Sequence, residues 1–198
     1  MILSFVFVKS RKEKGLHYRS SGASEIYDVK NITIEEIDRM LDGSEFEMYL
    51  YQLLLELGYS GVYKTVGSHD YGADLVFSDR SGVRTIIQAK RYSVDYQVGI
   101  DAVQEVYTAR NFYQAKKAIV ITTTKYTDSC ETLAGVNGVL LLDRKDLIQI
   151  LATFKQDDYD RVKDIMEREP RIIYEFWENP ERELRKDVKA EQLVLGRR

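Results

Sequence analysis

The chain has 198 residues, 44% of them hydrophobic and 31% charged, with a formal net charge of −3. That size admits one ordinary domain with modest extensions, the composition excludes a disordered chain, and the charge balance excludes a globally basic nucleic-acid binder, leaving such a role to a local surface. A single cysteine, Cys130, excludes an internal disulfide framework and suits a reducing, cytoplasmic setting.

The apolar start, Met1 to Val8, is far shorter than the roughly 20 residues of a spanning helix, and it lacks the basic lead and small-residue cleavage site of a signal peptide. A first strand or the remnant of a membrane anchor fits it; the strand is preferred, and no membrane partner is expected. A basic run, Lys9 to Lys14, and Ser20-Ser21-Gly22-Ala23-Ser24 read as a connection, so residues 1–33 form a strand-and-linker segment. Asn31 or Thr33 then caps a short helix, Ile34 to Leu41, that Gly43 breaks. Ser44 with Glu47 three residues on has capping-box spacing, and Phe46, Leu50, Leu53, Leu54 and Leu57 make one apolar helical stripe ended by Gly58.

Strands are predicted at Val62 to Val66, Ala73 to Ser78 and Val83 to Tyr92, the last two joined by the turn Asp79-Arg80-Ser81-Gly82. A helix follows from about Val98 to Gln114, then a doubly covered strand, Ala118 to Thr122. A helix near Thr127 to Ala134 carries Cys130 as an inert core residue; a strand, Val139 to Leu142, and a helix, Asp146 to Phe154, complete the pattern. The order α-β-β-β-α-β-α-β-α predicts an α/β fold, a mixed central sheet with helices on both faces, over residues 34–154. Residues 155–198 are rich in charge and read as a helical extension facing solvent or a partner, with Ile172 to Trp177 needing a docking surface.

Hydrophilic groups stand where buried strand is expected. Asp74 heads one strand, and Gln88 and Lys90 lie two residues apart on the next, on one face and roughly 7 Å apart. Burying an amide and an ammonium beside a carboxylate is costly unless something pairs with them; a divalent cation and a phosphate would. Phosphodiester cleavage needs a cation, a positioned water and a group that orients it. Asp74 suits a hard cation such as Mg²⁺, the Gln88 side-chain oxygen and the Ala89 carbonyl add ligands, and Lys90 stabilises the developing charge. Glu47, near its helix start, is a second carboxylate, direct or through water.

Gly43-Ser44-Glu45-Phe46-Glu47, Leu57-Gly58-Tyr59, Asp70-Tyr71-Gly72-Ala73-Asp74-Leu75, Gln88-Ala89-Lys90 and Val103-Gln104-Glu105 together resemble the Mrr-type restriction endonuclease catalytic domain, in the PD-(D/E)XK nuclease superfamily, over roughly Ile34 to Leu151. The resemblance implies a Mg²⁺-dependent endodeoxyribonuclease, with Mn²⁺ able to substitute, acting on double-stranded DNA in restriction. Its core site would be Asp74, Gln88 and Lys90, with Glu47 as the helix-borne acid. The Gln-X-Lys form replaces the superfamily's usual acidic position and removes one negative charge from the metal site. A homodimer is expected, since such enzymes pair two sites to cut both strands. A junction-resolving or repair nuclease of the same fold, or a non-catalytic DNA-binding module, are the competing readings.

Singly, each residue has a bland reading: Asp74 as a turn cap, Gln88 and Lys90 as an exposed strand face, Glu47 as a capping acid, Glu45 as solvated. It is their joint occurrence that points to a site. Asp70 is expected to support the Asp74 turn, Lys64, Arg91 and Tyr92 to touch phosphate or to be solvated strand ends, and Gln104 to reach the metal surroundings or DNA or to pack its helix, while His69 lacks a partner at zinc spacing and reads as exposed loop.

Overall fold

The structure is a computed structural model that describes residues 27–65 and 71–172. Helix α1, Ile34–Asp38, starts at Thr33, whose hydroxyl accepts from Glu36 N while the Glu36 carboxylate accepts from Thr33 N, a complete capping box. Helix α2, Gly43–Glu56, is capped by Asp42 rather than by Ser44: Asp42 accepts from Glu45 N at 3.2 Å, and Glu45 Oε2 accepts from Leu41 N at 2.7 Å. The capping acid is therefore Glu45, expected to be solvated, and Glu47 is released from that duty. A carboxylate just before the helix answers both the unpaired amides and the positive end of the dipole. The α2 stripe is buried as its spacing predicts, with Phe46, Leu50, Leu53 and Leu54 joined by Tyr49.

Strands β1 (Ser60–Lys64), β2 (Leu75–Ser78) and β3 (Arg84–Lys90) form an antiparallel meander. A two-residue strand β4 (Gln97–Val98) precedes helix α3 (Ile100–Phe112). Then come β5 (Lys117–Thr122), the short β6 (Lys125–Tyr126), α4 (Asp128–Asn137), β7 (Leu140–Leu142), α5 (Arg144–Lys155) and α6 (Tyr159–Glu167). The main sheet runs β1-β2-β3-β5-β7, with β3, β5 and β7 parallel. It is the mixed, helix-covered sheet that the sequence predicts. The small parallel β4–β6 pair escapes the sequence because two residues carry no periodicity.

Alternation sorts the strands onto two cores. Leu75, Phe77, Ile87, Ala89, Ile119 and Ile121 pack with α1, α2, α5 and α6. Val76, Ile86, Ala118 and Val120 pack on the opposite face with α3 and α4. Helix α6 corrects the expectation for the chain after Lys155: Val162, Ile165 and Met166 are buried in the first core, so its charges form only the outer face. Cys130 is buried in α4, and desolvation pushes its thiol up to about 12, as an inert residue requires. The apolar start, His69, Asp70 and most of Ile172 to Trp177 lie outside the described residues. No helix among the described residues is long and apolar enough to cross a membrane.

The β2–β3 turn is built on Asp79. One oxygen accepts from Ser81 N and Val83 N, both at 2.9 Å, and the other meets Lys117 Nζ at 2.8 Å. Burial raises the carboxyl pKa, but the bond to Lys117 and those two amides outweigh it and hold it below the ordinary 3.8. Its stabilisation is thus present above that ordinary value and is lost as pH falls through the depressed folded one. Asp79→Ala is expected to cost about 1–3 kcal/mol at neutral pH, read from urea midpoints, with the gap to wild type shrinking in acid. A gap unchanged between neutral and strongly acid pH would contradict this account of the turn.

Candidate active site

Continuing the β2–β3 register from Leu75 opposite Ile87 sets Asp74 across from Gln88. Asp74 Oδ2 accepts from Gln88 Nε2 at 2.8 Å and from Ala89 N at 2.7 Å, and Asp74 N donates to Ile87 O at 2.8 Å. Asp74 and Gln88 are only 5% and 6% exposed, so both hydrophilic groups sit inside the fold. Because the amide nitrogen is committed to Asp74, Gln88 Oε1 is fixed by elimination, and it is a buried oxygen with no hydrogen-bond partner. Such an orphan costs about 1–3 kcal/mol unless a ligand meets it. A hard cation bound by oxygen suits it, with the adjacent carboxylate supplying charge.

Lys90 continues the Ile86–Gln88 side of β3 towards α3. Its Nζ meets Glu105 Oε2 on α3 at 2.7 Å. Burial pulls the Lys90 amine down, and the hydrogen bond and charge of Glu105, with Tyr92 and Asp74 adding to them, more than reverse this, leaving its pKa above the ordinary lysine value. The ammonium is therefore permanently charged at neutral pH. Nothing in the sequence gives Glu105 a site role, although it lies in the Val103-Gln104-Glu105 stretch; alone on a helix, it looks like any solvated acid. Gln104 beside it is exposed.

Glu47 is held by a lysine. It projects from α2, which packs on the other face of the sheet, and its Oε2 meets Lys64 Nζ at 2.6 Å. Lys64 lies opposite Leu75, on the α2 face. The structure thus joins Asp74 to Gln88, sets Lys90 next to them on the same side, and pairs Glu47 with a lysine. Among the described residues no three acids, histidines or cysteines gather as a ready-made metal cluster. Arg91 turns into the fold, donating to Asp38 O at 3.2 Å and Leu41 O at 3.3 Å, and so ties the α1–α2 connection to the end of β3.

The approach to Asp74 is tightly constrained. Tyr71 and Gly72 both have positive φ, 48° and 91°, a run that L side chains rarely adopt. A Cβ on Gly72 would lie 2.6 Å from Glu105 O and 2.8 Å from Glu105 C, so only glycine lets the Asp74 loop press on the α3 backbone. The Tyr71 ring stacks on Phe112 of α3 at 3.9 Å, and Thr65 Oγ1 donates to Ala73 O at 2.7 Å from the other side.

Three threonines outside every sequence motif hold the far end of β3 and the connection that follows it. Thr122 Oγ1 donates to Lys90 O and Thr123 Oγ1 to Tyr92 O, both at 2.7 Å, and Thr124 Oγ1 donates to Val94 O and Tyr96 O. All three side chains are buried at the end of β5. Their signal was a threonine run after an apolar strand, which reads as plain β-propensity.

Residues 37–151, more than half of the chain, match the Mrr-type catalytic family described as restriction endonuclease, and the chain belongs to that family. It is a family of restriction-type DNA nucleases. Among solved structures, the chain is similar to the DNA modification-dependent restriction endonuclease AspBHI, at 18% identity and TM-score 0.46, covering 78% of this chain and 44% of that one. It is also similar to the MspJI restriction endonuclease in complex with a 27-mer oligonucleotide, at 16% identity and TM-score 0.44, covering 77% of this chain and 39% of that one. EndoMS in its apo form is similar at 15% identity and TM-score 0.38, covering 53% of this chain and 47% of that one. The chain spans less than half the length of each of these three proteins. No curated protein matches it.

Gly72→Ala tests the loop. We expect it to lower stability by more than about 1–3 kcal/mol, the scale of one strained backbone position, because the methyl group meets backbone that cannot turn aside. A urea midpoint equal to wild type would show that the loop need not press on α3.

Proposed function

We propose that the chain is a divalent-metal-dependent endodeoxyribonuclease of restriction type, using Mg²⁺ with Mn²⁺ able to substitute. The observation that carries this reading is the orphaned Gln88 Oε1, buried beside the Asp74 carboxylate and on the same side as a charged lysine. Asp74 and Gln88, with the Ala89 carbonyl, would hold the ion. When bound, it would neutralise charge on the phosphate and favour ionisation of the attacking water.

The chain's own residues supply the rest. The Gln88 amide and the Ala89 N–H fix the Asp74 carboxylate, so the ion finds an acid already oriented rather than one it must order. Lys90 supplies a charge that does not titrate near neutral pH, to stabilise the phosphate oxygen that gains charge in the transition state. In the free enzyme that ammonium rests on Glu105, and substrate phosphate would replace the carboxylate as its partner. Glu47 and Lys64, paired across α2 and β1, would line the approach from the sheet edge. Two copies would act together to cut both strands.

The test is supercoiled-plasmid cleavage by purified protein. Cutting is expected with Mg²⁺ or Mn²⁺, to stop with EDTA, and to fall roughly 10²–10³-fold in Lys90→Ala and Asp74→Asn. Cutting that persists in EDTA, or equally in both variants, would refute the assignment.

A further inference from the structure

Gln88 leaves the site with a charge problem. Asp74 and Lys90 cancel, Gln88 is neutral, and Glu47 is cancelled by Lys64 at 2.6 Å. Asp74, Gln88 and Lys90 alone would present a neutral site to a dication, although desolvating a doubly charged ion calls for nearby negative charge.

One further acid is built into the same corner. Glu105 reaches Lys90 at 2.7 Å, and its backbone carries the Gly72 turn that leads into Asp74, so helix, lysine strand and acid loop all meet at this residue. The unpartnered oxygen of Gln88, in a side chain more than nine-tenths buried, independently marks the same site as one that takes a ligand. Building on the nuclease reading above, we propose that Glu105 is a positioning residue that supplies the negative charge missing at position 88: by offsetting Lys90 at ion-pair distance, it leaves Asp74 with a net charge for the divalent cation.

Removing the Glu105 charge weakens the cation, removing the Lys90 charge strengthens it, and putting a carboxylate at position 88 compensates for loss of Glu105. A role confined to holding the lysine side chain predicts the gain on removing the Lys90 charge, but neither the loss on removing the Glu105 charge nor its compensation from position 88.

The experiment is calorimetric titration of the full chain with Mn²⁺ in the absence of DNA, which reads binding and not turnover. Wild type is expected to bind. Glu105→Gln, an exposed and isosteric change, should raise the dissociation constant about tenfold, well within what one unit charge at this range can supply. Glu105→Gln combined with Gln88→Glu should return it to the wild-type value or below. Lys90→Gln should bind Mn²⁺ more tightly than wild type, and this arm stands even if the Glu105 variant misfolds. Asp160→Asn on α6, against the opposite core, removes an equal charge and should change nothing. Unchanged affinity in Glu105→Gln, or no gain in Lys90→Gln, overturns the role of Glu105 and leaves the nuclease reading standing. Absence of Mn²⁺ binding by the wild type overturns both.

Discussion

Everything in the site follows from one carboxylate receiving two hydrogen bonds across a strand pair. Asp74 takes the Gln88 amide and the Ala89 N–H at 2.8 and 2.7 Å, an arrangement that leaves only one orientation for the Gln88 side chain. Its oxygen is thereby held inside the fold with nothing to bond to. A glutamate in that place would set two carboxylates against each other in the absence of an ion, and one would have to take up a proton. The amide removes that repulsion, so the site is formed before the cation arrives, at the expense of one negative charge.

The fold is arranged to keep this corner rigid. Ahead of Asp74, Tyr71 and Gly72 are both left-handed, Gly72 is pressed against α3 where a Cβ would meet backbone, and Ala73 O accepts from the Thr65 hydroxyl. The last residue of β3 and the connection that follows it are bonded to three successive threonines at and just beyond the end of β5. Both supports are short-range and directional. They can position a side chain to the few tenths of an ångström that cation and phosphate chemistry requires.

Much of this was legible in the sequence, for identifiable reasons. Apolar spacing fixed α2, and alternation with the Asp79 turn fixed the β2–β3 hairpin and hence the facing of Asp74, Gln88 and Lys90. Register does that work, because side-chain direction on a strand has a period of two. The sequence was less informative where spacing admits two answers. Ser44/Glu47 and Asp42/Glu45 both have capping geometry, and the stronger acid cap won, which released Glu47 towards Lys64. Helix α6 read as surface because charge dominates its composition, although three apolar residues on one side suffice to bury it. Glu105 lies in a stretch that carries the resemblance, but spacing alone gives it no role. Its importance lies in where the backbone of α3 passes, and that is a tertiary fact.

Diffraction from crystals soaked in Mn²⁺, with the ion located by its anomalous signal, tests the account most directly. A peak within coordination distance of both Gln88 Oε1 and the Asp74 carboxylate, with the amide nitrogen still on Asp74, is the result expected. A peak elsewhere, with Gln88 Oε1 taken up by a protein donor, would contradict it, since the buried oxygen would then have a purely structural partner.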